Sequence, residues 1–302
     1  MSPGASAPLV DSAPAKINLT LRVLGRRSDG YHEIESLVAF AEFGDSLSFS
    51  PGAGLTLEVN GPTAAKAGES GDNLVLKAAR EIAARRKGLK LGAFRLDKHL
   101  PVAAGLGGGS ADAAAALRLI AQANGLARAD PQLYAAARAT GADVPVCLDP
   151  RPRIMRGVGD VLSEPLSLPA LPALLVNPGV AVATREVFAG WALAPESLPA
   201  ATNLAAIAKL STREKLLRFL LAQSNDLQRS ALALAPAIAE ILSALAALPG
   251  CDLARMSGSG ATCFGLFTTP SAAAEGGGVL SSAHPYWWVQ ATTLGGASSG
   301  AA

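Results

Sequence analysis

PVAAGLGGGSADAAAAL, residues 101–117, is the stretch from which the fold is read. Its glycines at 105, 107, 108 and 109 carry no Cβ, so backbone N–H groups there can turn toward a phosphate. Ser110 stands where a following helix begins, and the dipole of that helix favours negative charge at its start. The flanks supply a strand–loop–helix order: a short strand over 94–98, and a helix over 111–123 that Asn124-Gly125 stops. The loop lacks the GK[ST] ending of a Walker loop, and Ser110 at the sixth position breaks GxGxxG. A flexible turn ahead of an alanine-rich helix is the plainer explanation of the same residues.

Upstream, residues 16–23 alternate, with Ile17, Leu19, Leu21 and Val23 on one face and Lys16, Asn18, Thr20 and Arg22 on the other. This pattern predicts a half-buried strand. Residues 25–30 give turn chemistry, a returning strand is expected over 34–40, and further strands over 46–50 and 55–59. Asp72 or Asn73 can cap a helix over 74–87, with Leu74, Ala78 and Ile82 on its apolar stripe and Gly88 as its stop. Downstream, a helix over 131–140 is closed by Gly141. Past the proline-punctuated stretch 150–172 come Ala/Leu helices, including a helical core over 231–248, with strands over 174–176 and 262–267. The order of elements predicts an α/β (α+β) chain of two domains, residues 1–155 with the glycine loop and 156–302. Residues 1–15 are expected to be a ragged leader, and 295–302 a Gly/Ser/Ala tail.

The chain has 302 residues, half of them apolar, enough for a sizeable core in each domain. Its 26 basic and 24 acidic residues leave a net charge of +2 spread along the chain, which gives no footprint for nucleic acid. The apolar stretch 231–248 is broken by Pro236 and Glu240, so no membrane span is predicted, and the N-terminus lacks the charged and apolar regions of a secretory signal. Cys147, Cys251 and Cys263, an odd number without CxxC spacing, suit free thiols in a reducing cytoplasm.

A phosphate loop calls for a group that handles the acceptor, and a positioned carboxylate typically contributes ~10²–10⁴ in rate. Asp143, between Gly141 and Pro145 and followed by Val144, Val146 and Leu148, is the first candidate. A helix-capping or turn-stabilising Asp is an alternative of at least equal weight there. Lys16 and Asn18 share one strand face, where one can pin an anion and the other orient a hydroxyl, or both can simply be solvated. Tyr31 and His32 after the Asp29-Gly30 turn suit a flat ring, although Tyr31 in a core and His32 on the surface would be unremarked. The segment from Met256, MSGSGATCFGLF, can pack on the glycine loop or form a close-packed turn.

Five segments stand in order: PAKINLTLRVLGRRSDGYHEI from Pro14, DNLVLKAAR from Asp72, PVAAGLGGGSADAA from Pro101, GADVPV from Gly141 and SGSGATCFGLF from Ser257. Together they resemble the GHMP kinase superfamily over residues 13–267, and within it the 4-diphosphocytidyl-2-C-methyl-D-erythritol kinase family. The first and fourth segments point to that family; the glycine loop and the last are common to the superfamily. The resemblance implies a ribosomal-protein-S5-like N-terminal domain, a C-terminal α+β domain and an active site in the cleft between them. It also implies ATP as phosphoryl donor, with Mg2+ accompanying it, and a small-molecule acceptor carrying a cytidine diphosphate group, phosphorylated on its 2-hydroxyl.

By position, Asp143 and Lys16 match the family's catalytic pair: Asp143 would take the hydroxyl proton, and Lys16 would keep that carboxylate ionised and stabilise the transferring phosphoryl group. Tyr31, His32 and Phe188 match a clamp on the cytosine, and Asn18 a substrate contact. Pro101, Val102, Ala103, Ala104, Gly105, Leu106, Gly107, Gly108, Gly109, Ser110 and Ala111 match the phosphate loop, with Asn73 and Lys98 near the adenosine. No residue is assigned to a metal. GGGSAD in place of the superfamily's commoner GSS form is usual in this family. The expected protein is a cytoplasmic monomer or homodimer without nucleic-acid or membrane partners. Another GHMP kinase, of the homoserine or mevalonate type, stays open, as do a non-catalytic ligand sensor and, more remotely, a dinucleotide-binding protein. The cluster Tyr286-Trp287-Trp288 matches nothing in the family and is expected in a core or an interface.

Overall fold

Phe94 and Leu96 alternate with Arg95 and Asp97 along β5 (Gly92–Asp97), and burial follows that period of two. The computed structural model describes residues 7–52, 54–66, 73–191, 207 and 210–295, so the possible cap Asp72 and residues 296–302 of the tail lie outside it. Two compact units are present: Met1–Ala15, Gly44–Val102 and Gly107–Asp149 in the first, and Lys16–Phe43, Ala103–Leu106 and Pro150–Ala302 in the second. Both are discontinuous in sequence, and the last crossing between them follows Asp149.

In the first unit, β5 lies between β4 (Thr56–Asn60), to which it is parallel, and the end of β3 (His32–Pro51), to which it is antiparallel from Ser46↔Asp97 to Pro51↔Gly92. A parallel pair needs a crossover, and α1 (Leu74–Arg85) supplies it. Phe49 and Phe94 stack at 4.6 Å in the core. Helix α1 packs on α2 (Gly108–Ala123) and α3 (Pro131–Thr140). Asn73 caps α1 by accepting the Val75 N–H at 2.9 Å, and Gly141 closes α3 as expected. Helix α1 ends two residues early, because Arg86 adopts an extended backbone.

Helix α2 starts three residues before the alanine run. Gly108 and Gly109 are poor helix formers, but Gly107 at φ +63° makes a left-handed turn that delivers the chain into the helix. After α3 comes a short helix without a periodic signal, α4 (Val144–Cys147), with Pro145 in its first turn.

In the second unit, the beginning of β3 pairs antiparallel with β2 (Arg22–Arg26) and with β6 (Arg153–Gly157), which turns back into β7 (Val161–Leu162). The other strands run β11 (Trp288–Leu294), β8 (Leu171–Asn177), β10 (Cys263–Phe267), β9 (Cys251–Met256), all antiparallel. Strand β8 is buried at every residue, as its near-continuous apolar run requires of a strand covered on both faces. Around it lie α5 (Thr184–Trp191), α6 (Arg213–Leu221), α7 (Gln228–Leu234), α8 (Ala237–Ala247) and α9 (Pro270–Ala283). The helical core expected over 231–248 is made of two helices, α7 and α8, parted at Ala235-Pro236, where the proline breaks the stretch.

Two expectations at the start of the chain are corrected. Residues 9–15 are not a loose leader; they form most of β1 (Leu9–Asn18), which pairs with β3. The polar face of residues 16–23 is not half solvated: Lys16, Asn18, Thr20 and Arg22 are all buried. β3 provides the matching groups that make this burial tolerable. Thr20 Oγ1 accepts the Leu37 N–H at 3.0 Å, and Arg22 lies 3.8 Å from Glu35. Buried Arg255 donates to the carbonyls of Leu19, Leu220 and Gln223 at 2.7–2.8 Å. The C-terminal aromatics divide: Tyr286 is exposed, Trp287 stacks on His284 at 3.6 Å, and Trp288 opens β11.

Candidate active site

The segment 101–111 is held by backbone geometry that only small residues allow. Gly105 has φ +76°, and a Cβ there would stand 2.4 Å from the Ser257 carbonyl oxygen. Ser257 Oγ donates to the Gly105 carbonyl at 3.0 Å, and the Thr262 N–H donates to Ala104 at 3.1 Å. The segment from Met256 therefore packs on the glycine loop, the first of the two roles left open for it. In α2 the first intrahelical bond is Ala111 N–H to Gly107 at 2.8 Å. The N–H groups of Gly108, Gly109 and Ser110 precede it and point out of the helix start, where an anion is favoured.

In the first unit this helix start rests on a buried cluster of charge. Lys98 Nζ meets Asp112 Oδ2 at 2.9 Å and also pairs with Asp45 Oδ2, all three side chains being almost fully buried. Asp45 Oδ1 in turn accepts the N–H groups of His99 at 2.6 Å and Leu100 at 2.8 Å, which fixes the chain just ahead of the glycine segment. A Cβ on Gly108 would lie 3.2 Å from Lys98 Nζ, and one on Gly109 would lie 3.4 Å from Leu74, the neighbour of Asn73. Lys98 thus stands at the start of α2, and so does Leu74, the residue after Asn73. The Lys98 ammonium is engaged by carboxylates, and one Asn73 oxygen by its cap.

Burial pushes the Asp112 carboxyl up to about 8, against the pull of Lys98. Burial also opposes the Lys98 charge, but the two carboxylates outweigh it and raise its pKa. Asp112 Oδ1 has no partner among the described residues. The sign for stability follows from linkage. A folded-state pKa raised above the unfolded 3.8 gives a contribution fully present below 3.8 and lost as pH rises through about 8. Asp112→Asn is expected to flatten the fall of unfolding free energy over that window, measured by urea titration at several pH values. An unchanged slope would place the raised carboxyl elsewhere.

Asp112 carried a signal in the sequence, since the one carboxylate of a helix, set beside a run of alanines, needs a partner if that face is buried. Asp45, far away along the chain, carried none. Asp143 occupies the N-cap position of α4, half-buried, and its carboxylate makes no capping bond to that helix. The helix-capping alternative is thereby removed.

In the second unit, buried Lys16 donates its backbone N–H to Leu106 at 2.8 Å, which ties β1 to the glycine segment. Two residues on, the Asn18 N–H reaches Ser257 Oγ at 3.1 Å, and Asn18 Nδ2 reaches Ser36 Oγ at 2.7 Å. The ring of His32 stacks on Phe188 with centroids 4.8 Å apart and an interplanar angle of 23°. Burial, and then the charge of Arg26, lowers the His32 pKa, so the ring is neutral at neutral pH. Trp191 meets His32 edge-on at 5.7 Å. Trp191 was missed in the sequence, although it stands three residues after Phe188 on one helix face. Tyr31 is 64% exposed and not a core residue. The structure thus brings His32 and Phe188 together and leaves Tyr31 beside them, open to solvent.

Among the described residues no helix is long and apolar enough to cross a membrane. Residues 73–149 match the family described as GHMP kinases N terminal domain, and residues 203–284 match GHMP kinases C terminal. The 4-diphosphocytidyl-2-C-methyl-D-erythritol kinase of Methylorubrum extorquens is 55% identical over 287 residues, covering 95% of this chain and 99% of that protein. That of Rhodopseudomonas palustris is 54% identical, covering 97% of this chain and 100% of its own. Among solved structures, a 4-(cytidine 5'-diphospho)-2C-methyl-D-erythritol kinase aligns with a TM-score of 0.73 and 33% identity, covering 95% of this chain and 100% of the other. A homoserine kinase from Cytophaga hutchinsonii, at 0.69 and 19% identity over 98% and 97%, shares the fold. With both halves of the fold matched and such identity over nearly its full length, the chain belongs to the 4-diphosphocytidyl-2-C-methyl-D-erythritol kinase family of GHMP kinases.

Proposed function

We propose that this protein transfers the γ-phosphoryl group of ATP to the 2-hydroxyl of 4-diphosphocytidyl-2-C-methyl-D-erythritol, giving the 2-phosphate and ADP, a step of the non-mevalonate route to isoprenoid precursors. The observation that carries the choice of substrate is the stacked His32–Phe188 pair with exposed Tyr31 next to it. An acceptor without a base gives such rings nothing to hold. Neutral His32 can hydrogen-bond a cytosine edge, and its Nε2 has no partner among the described residues.

The phosphates of ATP are taken by the N–H groups at the start of α2, with Asn73 near the adenosine. Asp143 accepts the hydroxyl proton as the oxygen attacks, and Lys16 stabilises charge on the transferring group. Asn18 binds the acceptor alcohol. Magnesium bound with ATP would neutralise phosphate charge. No group of three His, Cys, Asp or Glu that could hold a metal occurs among the described residues. A hard ion that keeps its waters and is held by the phosphate oxygens needs few ligands from the protein.

The test is ADP release with the cytidylylated methylerythritol, homoserine and mevalonate as competing acceptors. Turnover with the first alone supports the proposal; preference for either other alcohol overturns it. Phe188→Ala is expected to raise the acceptor KM by ~5–100-fold with the ATP KM unchanged, the worth of one stacked base. An unchanged acceptor KM would remove Phe188 from the clamp.

A further inference from the structure

Ser36 is fully buried at the point where β3 passes the end of β1. Its Oγ donates to the Thr20 carbonyl at 2.5 Å and receives Asn18 Nδ2 at 2.7 Å. A serine hydroxyl has one hydrogen, and a carbonyl can only accept it, so Oγ can face Asn18 only as an acceptor. The amide must therefore present Nδ2 to Ser36. Were it turned over, its oxygen would meet an oxygen with no hydrogen left to give.

The consequence falls on the other end of the amide. Asn18 is 2% exposed, and its Oδ1 has no partner among the described residues. A buried acceptor left without a donor is costly, so a fold that keeps one in place reserves it for something that brings a hydrogen. Gly258 stands beside it with φ +58°, and a Cβ there would come within 3.4 Å of Oδ1 and 3.1 Å of the Gly105 carbonyl. Oδ1 is itself buried, and the missing side chain leaves room beside it, at the glycine segment, for the group that would donate to it.

We propose that Ser36 is a positioning residue: by locking the Asn18 amide it turns Oδ1 toward the acceptor alcohol, to receive a hydrogen bond from one of its hydroxyl groups. This rests on the kinase reading above and deepens it. A donor group is selected, and a substrate group that only accepts is rejected at this point. Thr20, through its carbonyl, is the anchor of the relay.

The test is steady-state ADP release by wild type, Ser36→Ala, Asn18→Ala and the double variant, varying ATP and the cytidylylated methylerythritol in turn. Ser36→Ala is expected to lower kcat/KM for the alcohol ~10-fold, the scale of one lost orienting hydrogen bond, with the ATP KM unchanged. In the Asn18→Ala background the same substitution should cost less than ~2-fold, because nothing remains to orient. Ser36→Thr, which keeps the hydroxyl, should recover most of the loss. Should Ser36→Ala not fold, Ser36→Cys, which keeps the volume but offers only a weak acceptor, is judged on the same readouts. A loss that persists in the Asn18→Ala background, that falls equally on ATP, or that is absent overturns the inference while leaving an active wild type explained as before. A wild type that makes no ADP with this alcohol takes the kinase reading and the inference together.

Discussion

Asp143→Asn is expected to lower turnover at least ~10²-fold while the affinity for ATP stays within ~3-fold of wild type. The amide keeps the size and polarity of the carboxylate but cannot take a proton. The position makes the substitution readable, because Asp143 sits at the start of α4 without capping it, so the exchange removes no helix cap. Stability in urea is measured alongside turnover. A large drop in stability with the drop in rate would mean a structural post, and near-normal turnover would remove Asp143 from the role of base.

Lys98→Met is expected to cost about 3–5 kcal/mol of unfolding free energy, the scale for removing one partner of a buried ion pair. The methionine fills similar space, so the loss comes from charge: Asp45 and Asp112 keep their burial and lose the cation that both of them contact. The same cluster holds His99 and Leu100 ahead of the glycine segment, so the ATP KM is expected to rise in Lys98→Met. Urea titration and ADP-release kinetics check the two halves of this prediction. Stability within about 1 kcal/mol of wild type would show that the cluster holds nothing together.

How much of this was visible in the sequence depends on how local each cause is. The turn at Gly107 and the strained Gly105 show in the residue type itself, because φ values of +63° and +76° favour glycine. The helix Pro131–Thr140 and its stop at Gly141 were legible to the residue for the same reason: its cap, first-turn proline and closing glycine are all local. The start of α2 was not, since alanine propensity points to residue 111 while the turn at Gly107 sets it at 108. The buried polar face of residues 16–23 was also hidden. Alternation says that two faces differ, not that β3 will supply Ser36, Leu37 and Glu35 to satisfy the polar one.

The candidate site shows the same divide. The glycine segment, Asp143, Lys16 and the ring-bearing residues were singled out by residue type and by family resemblance. Asp45 was not, because its partner Lys98 lies 53 residues away and pairing at that range leaves no local pattern. Ser36 was not, because a buried serine in a strand looks like any small residue until its hydrogen is assigned.

The most direct measurement is of the product. Incubated with ATP, magnesium and 4-diphosphocytidyl-2-C-methyl-D-erythritol, the protein should give one equivalent of ADP for each phosphate ester formed, with phosphorus NMR placing the new phosphate on the 2-hydroxyl carbon. ADP accompanied only by free phosphate, or a phosphate on another hydroxyl, would contradict the account.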